Sequence, residues 1–256
     1  MHDKDYGCDL LVVSPHTDDA EIGLGGTIAA WAGHGRRIWL LDLTRGELAS
    51  NASVDERWRE AEAASAVLGV TGRLQLDLPD GFVSARDRRQ VLAVIDVIRR
   101  LRPRWVATAP DPVRHPDHRQ TPSLVERAFF LARLSNLAAD HQASHIWPAK
   151  ATLPAAADAW RPEALFRTAA DDQQPSLLVD VSDAWAAKLE ALACYRSQFE
   201  REPGRRPTMI NSRDFMDRIE RRARTWGLRA GVRYAEAMCG AAVPVVTDQP
   251  AQRWSR

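Results

Sequence analysis

Two short runs, Pro15-His16-Thr17-Asp18-Asp19 and Arg114-His115-Pro116-Asp117-His118, carry imidazoles and carboxylates at spacings suited to holding a divalent metal and moving a proton beside it. His16 and Asp19 are three residues apart, so a turn can bring a nitrogen and an oxygen ligand to one point. Catalytic zinc accepts such a mixture, with three protein ligands and one vertex left for water. Asp18 adjoins Asp19 but must point elsewhere, so one carboxylate can bind metal while the other acts as general base toward water. In the second run Pro116 stiffens a turn bracketed by His115 and His118. One of these imidazoles can complete the metal triad; the other can donate a proton or hold a developing oxyanion. Asp117 can orient a neighbouring imidazole and favour its charged form. Each run alone has a plainer explanation, an Asp pair capping a helix or a surface turn. Two such runs, each placed where a hydrophobic strand ends, point together to a metal-dependent hydrolase.

The elements that must position these runs follow from hydrophobic pattern. Asp9 to Ser14 is a short apolar, β-branched run ended by Pro15, which predicts a buried strand. Gly23 to Gly33 predicts a glycine-rich entry into a helix, Arg37 to Leu43 a second strand, and Asp55 to Leu68 a helix stopped by Gly69. Leu74 to Leu78 predicts a strand before the turn Pro79-Asp80-Gly81. Val91, Ile95, Ile98 and Leu101 step at helical spacing through Asp87 to Leu101. Trp105 to Ala109 then predicts a fourth strand and Gln120 to Leu134 a helix. Residues from about Asn136 to Gln174 read as irregular, with one strand near His145-Ile146-Trp147. Leu177 to Val181 predicts the last strand, with a helix from Asp183 to Phe199. A polar linker covers Arg201 to Pro207, an Arg-rich amphipathic helix Ser212 to Gly227, and a loose tail the residues from Val243. Strands alternating with helices imply right-handed crossovers and an α/β, Rossmann-like three-layer fold with a mostly parallel sheet and helices on both faces. At 256 residues one such domain accommodates the whole chain.

Composition excludes several classes of function. With 35 Lys and Arg against 34 Asp and Glu, the net charge of +1 offers nothing general to nucleic acid or to a membrane surface. Apolar runs fall well short of the roughly 20 residues of a membrane-spanning helix, and the N-terminus lacks a secretory pattern. Cys8, Cys194 and Cys239 are odd in number and far apart, as in a reduced, cytoplasmic protein. The Arg-rich C-terminal helix and the apolar Val232 to Cys239 segment suggest a subunit contact, hence a homo-oligomer, with intramolecular packing an equal explanation. Gly23-Leu24-Gly25-Gly26 raises nucleotide binding as a rival. The dinucleotide fingerprint requires a further glycine where Ile28 stands, and the nearby carboxylates would repel a pyrophosphate. Close helix–sheet packing explains those glycines better.

Taken together, Ser14-Pro15-His16-Thr17-Asp18-Asp19-Ala20-Glu21-Ile22-Gly23, Leu43-Thr44-Arg45-Gly46-Glu47 and Arg114-His115-Pro116-Asp117-His118 resemble the LmbE/PIG-L family of zinc-dependent N-acetylglucosaminyl deacetylases. The resemblance continues through Leu48 to Asn51, Arg57, Glu60-Ala61, Leu68-Gly69, Pro175 to Ser182, Lys188 to Phe199 and Gly231 to Glu236, and so spans most of the chain. The later stretches, with Ser50-Asn51, look most like the bacillithiol-pathway branch, which acts on N-acetylglucosaminyl-malate. The resemblance implies that His16, Asp19 and His118 bind zinc, or another divalent metal such as Fe2+. It also implies that Asp18 is the general base, that His115 stabilises the oxyanion or protonates the leaving amine, and that Asp117 supports His115. Arg57 matches an arginine of the family's substrate pocket, and Glu47, Ser50, Asn51 and Arg114 are the other candidate substrate contacts. The substrate implied is a small acetamido sugar, N-acetylglucosaminyl-malate first, with a mycothiol precursor, a chito-oligosaccharide or an antibiotic intermediate as alternatives. A non-catalytic metal- or sugar-binding protein is the reading from a different class. One position departs from the family's usual proline: Thr17 frees a backbone dihedral and predicts a looser metal loop.

Overall fold

The computed structural model describes residues 6–108, 115–137, 146–148, 158–201 and 203–240. Eight strands form one sheet in the order β5-β3-β2-β1-β4-β6-β8-β7. They are β1 (Cys8–Ser14), β2 (Ile38–Thr44), β3 (Gly72–Leu78), β4 (Pro103–Thr108), β5 (Ile146–Trp147), β6 (Ala164–Thr168), β7 (Leu177–Asp180) and β8 (Ala235–Gly240). β1 pairs in parallel with both β2 and β4, β3 with β2, and β6 with β4; β5 and β8 run antiparallel to their neighbours. The helices are α1 (Asp19–Gly33), α2 (Val54–Leu68), α3 (Arg88–Leu101), α4 (Pro116–Leu131), α5 (Trp185–Ala193), α6 (Arg196–Phe199) and α7 (Arg213–Ala230).

The central strands are largely apolar because both of their faces are covered. Leu11, Val13, Leu41, Leu43 and Leu74 point into one core with Val91, Val94, Ile95 and Ile98 of α3 and Leu124 and Val125 of α4. Leu10, Val12, Ile38 and Leu40 point into the other, against Ala20, Leu24 and Ile28 of α1, Ala61, Ala64 and Leu68 of α2, and Ala191 of α5. The period-two alternation of side chains thus assigns each strand to two helical layers at once. From β1 the chain builds outward through β2 and β3, then returns across β1 to lay down β4 on its other edge. The carboxyl ends of β1 and β4 therefore flank the point where the strand order reverses, the crevice in which such sheets bind ligands. Both His-Asp runs begin there.

Several predicted boundaries change. β6 lies inside the segment read as irregular; its five residues alternate in burial, too short a stretch for periodicity to stand out. β8 occupies most of the Val232 to Cys239 segment, whose apolar side chains are consumed between β6 and β7 and under Trp226 of α7. That feature therefore serves intramolecular packing. α1 starts at Asp19, four residues before the expected Gly23, and bends at Leu24 (φ −135°, ψ 16°). The adjacent glycines permit close approach: a Cβ on Gly26 would lie 2.7 Å from Cβ of Val181. The predicted helix from Asp183 to Phe199 is interrupted between α5 and α6. Ala109, His145 and the tail from Val243 lie outside the described residues, and no described helix is long and apolar enough to cross a membrane.

Candidate metal centre

The first run leaves β1 as a turn and enters α1 at Asp19. Asp18 occupies the N-cap position, yet its side chain makes no capping bond. The plain capping explanation for this Asp pair therefore fails, and the Asp18 carboxylate is directed to other work. The second run opens α4, with His115 at the N-cap, Pro116 at the first helical position and Asp117 in the first turn, where proline costs nothing because that amide has no helical partner.

Asp19 Oδ2 is where the two runs meet. It accepts the backbone N–H of His16 at 3.0 Å, and it lies 3.2 Å from His16 Nδ1 and 3.2 Å from His118 Nε2. One ligand atom from each of His16, Asp19 and His118 lies within 4.8 Å of the others. Zinc bonds of about 2.0 Å in tetrahedral geometry require ligand edges of about 3.3 Å, which the two 3.2 Å nitrogen–oxygen edges match. The electrostatics agree. Burial alone would lower the pKa of His16, but its hydrogen bonds to Asp117, Asp19 and Asp80 outweigh that and raise it well above the ordinary value. His118 is likewise raised against burial by Asp19. Burial would raise Asp19, but the two imidazoles hold it far below the carboxylate range. A field that holds positive charge on two imidazoles beside one carboxylate is the field a divalent cation would neutralise.

His115 differs from the other two. Its pKa is lowered, first by burial and then by the neighbouring His16. Its Nδ1 accepts the Asp117 backbone N–H at 3.3 Å. In the neutral ring that acceptor role leaves the proton on Nε2, and the side chain is exposed. The Asp117 carboxylate is fully buried; it accepts the amides of Gly81 (2.7 Å) and Val83 (3.1 Å) and lies 3.5 Å from His16 Nε2. Its tie to His115 thus runs through the backbone amide.

Beneath the metal loop, Thr17 is completely buried. Arg57 Nε and Nη2 donate to its hydroxyl at 3.2 and 2.9 Å, and Nη2 also reaches Asp18 Oδ1 at 3.4 Å. The remaining Arg57 nitrogen donates to Gln198 at 2.9 Å. The Thr17 carbonyl accepts from both Arg73 and the Tyr195 hydroxyl. The expectation of a looser loop is corrected: hydrogen bonds from three side chains replace the rigidity of a proline ring. Arg57 itself is buried, with its guanidinium turned to the loop.

The remaining candidates scatter around this centre. Glu47 Oε1 accepts the Asp80 amide at 2.7 Å, Ser50 is exposed on the same loop, and Asn51 binds the Arg206 backbone through both ends of its amide (3.0 and 2.8 Å). Arg114 lies outside the described residues. Three important side chains escaped sequence reasoning. Arg73 pairs with Asp42 (2.6 Å) and Glu21 (2.7 Å), and Tyr195 donates to Glu21 at 2.9 Å. An arginine next to the alternating Leu74–Leu78 strand, at a position two before Gln75, was the available signal for the first. Asp80, read only as part of a turn, lies 3.1 Å from His16 Nε2, and His16, Asp80 and His115 form a second trio with ligand atoms within 4.8 Å.

Comparison with known proteins matches residues 11–129 to the family model described as PIG-L, GlcNAc-PI de-N-acetylase. The chain is 30% identical over 204 residues to a diacetylchitobiose deacetylase of Thermococcus kodakarensis, covering 74% of this chain and 70% of that protein. It is 29% identical over 243 residues to 1D-myo-inositol 2-acetamido-2-deoxy-alpha-D-glucopyranoside deacetylase 2 of Catenulispora acidiphila, covering 74% and 79% respectively. Among solved structures, a conserved protein from Thermus thermophilus superposes with a TM-score of 0.77 at 33% identity, over 94% of this chain and 97% of that one.

Proposed function

This chain belongs to the PIG-L family, and on that premise we propose that it hydrolyses the N-acetyl group of an N-acetylglucosaminide at a metal centre held by His16, Asp19 and His118. The observation that carries the proposal is the convergence of two imidazoles on one carboxylate oxygen, 3.2 Å from each, beside a buried second carboxylate. Zinc, or another divalent ion such as Fe2+, supplies at such a centre a Lewis acid for the acetamide carbonyl and an acidified water. Asp18, held by Arg57 and free of capping duty, takes the proton from the attacking water. The His115 Nε2–H donates to the oxyanion that develops on the carbonyl oxygen, which is worth about 3 kcal/mol for one well-placed donor. The proton held at Asp18 then passes to the departing amine, and acetate and the free amino sugar leave. Arg57 acts through Asp18 and Thr17 rather than on the sugar.

N-acetylglucosaminyl-malate rested on resemblance in the later stretches and in Ser50-Asn51. The curated relatives are named for diacetylchitobiose and for a glucosaminyl-inositol precursor. These favour the broader alternative, an acetamido sugar of which malate is one candidate aglycone and a second N-acetylglucosamine unit and inositol are two better-supported ones. Acetate release from a panel of these three, measured on the zinc-loaded chain, tests the reading. Asp18→Asn is expected to lower turnover by about 10²–10⁴-fold with zinc still bound. Bound zinc with no acetate released from any acetamido sugar would favour a non-catalytic binding protein instead.

A further inference from the structure

Two carboxylates face the far nitrogen of His16, and Asp80 is the nearer of them and the less engaged by backbone amides. Asp117 lies 3.5 Å from Nε2, but both of its oxygens accept backbone amides, those of Gly81 and Val83. Asp80 places Oδ1 3.1 Å from Nε2 and uses only Oδ2 for a backbone partner, the Leu48 amide at 3.0 Å. Its own N–H is held by Glu47. The carboxylate is 6% exposed, and, although burial opposes it, the hydrogen bond from His16 brings its pKa down to about 2.

We propose that Asp80 is a positioning residue of the metal centre: it accepts the Nε2–H of His16, and so selects the tautomer and ring orientation that present the Nδ1 lone pair beside Asp19 and His118. A neutral imidazole carries one N–H, so an acceptor fixed at Nε2 leaves Nδ1 as the ligand atom, the arrangement by which carboxylates orient metal-binding histidines. The same contact explains why a turn between β3 and α3 reaches into the site. Through Asp80 and the Gly81 and Val83 amides, it locks the β1 loop, the β2 loop and the start of α4 together.

This inference rests on the metal-centre reading above and competes with a different use of Asp80, as a direct ligand of a second cation with His16 and His115. Zinc titration of the metal-stripped chain against a chromophoric chelator separates them. Wild type is expected to bind one equivalent. Asp80→Ala should weaken zinc about 100-fold and Asp80→Asn, which keeps an acceptor oxygen without the charge, about tenfold. Thermal melts of the metal-free proteins serve as the control for folding, and Asp80→Asn carries the test should the alanine variant fail to fold. Equal zinc affinity in wild type and the folded variants overturns the inference. So does a wild-type stoichiometry of two that falls to one in Asp80→Ala, because Asp80 would then be a ligand. A wild-type chain that takes up no zinc would instead overturn the metal-centre reading itself, and this inference with it.

Discussion

The two halves of the centre are built on opposite principles. The β1 loop, residues 16 to 21, rests on a buried ionic lattice: Arg73 against Asp42 and Glu21, Tyr195 against Glu21, and Arg57 against Thr17 and Asp18. The α4 start, residues 115 to 118, has no comparable support from charged side chains beneath it among the described residues. It is held by a helix N-terminus and by backbone amides of the β3 turn, and it leaves His115 exposed. The difference shows how one fold meets two requirements. On the proposed function His16, Asp19 and the general base Asp18 need fixed geometry, and the loop that carries them is braced. The proposed oxyanion donor, His115, must meet a substrate entering from solvent, and its side chain is exposed.

That contrast can be broken first at its most heavily buried point. Arg73→Met removes the charge that Asp42 and Glu21 share, leaving two fully buried carboxylates uncompensated. Breaking such a pair costs about 3–5 kcal/mol, and urea unfolding of the metal-free chain should show that loss. Burial already raises the pKa of both carboxyls against the pull of Arg73. An unchanged midpoint would mean that the lattice is not what supports the loop. His115→Ala tests the other half. It is expected to lower kcat about 100-fold, as for the loss of one oxyanion donor, while the urea midpoint and zinc affinity stay at their wild-type values. A stability loss as large as that of Arg73→Met would erase the distinction between the halves. The smallest effect belongs to Thr17→Val, which keeps the shape of the side chain but strips the hydroxyl that receives two Arg57 bonds. A cost of about 1–3 kcal/mol is expected, the penalty for donors left buried without an acceptor. A fall in kcat without a rise in KM should accompany it, since Arg57 then loses its hold on Asp18. Wild-type kcat in this variant would show that the threonine fills space and does no positioning.

The strands β1 to β4, the helices between them and the two His-Asp runs were legible in the sequence because their signals are local. Apolar runs covered on both faces and carboxylates three residues from an imidazole are visible within a ten-residue window. β6 and β8 were not, since short strands near the far edge of the sheet owe their existence to partners: β6 pairs with β4 about sixty residues earlier and with β8 about seventy later. The same limit applied to the site. Asp80 looks like an ordinary turn residue until the sheet carries it 64 positions back to His16, and Arg73 looks like an intrusion until Asp42 and Glu21 surround it.

By itself, the sequence determined that an α/β sheet would place two metal-competent runs at neighbouring strand ends, since spacing and hydrophobic period are properties of the chain alone. Only the tertiary structure decided which nitrogen of His16 faces Asp19, that Thr17 would be clamped rather than loose, and that Asp117 would touch His115 through its amide. Those outcomes depend on groups far apart in the chain sharing one buried volume. There an unpaired charge or amide is costly, and each polar atom is therefore fixed by the partner that the fold delivers to it.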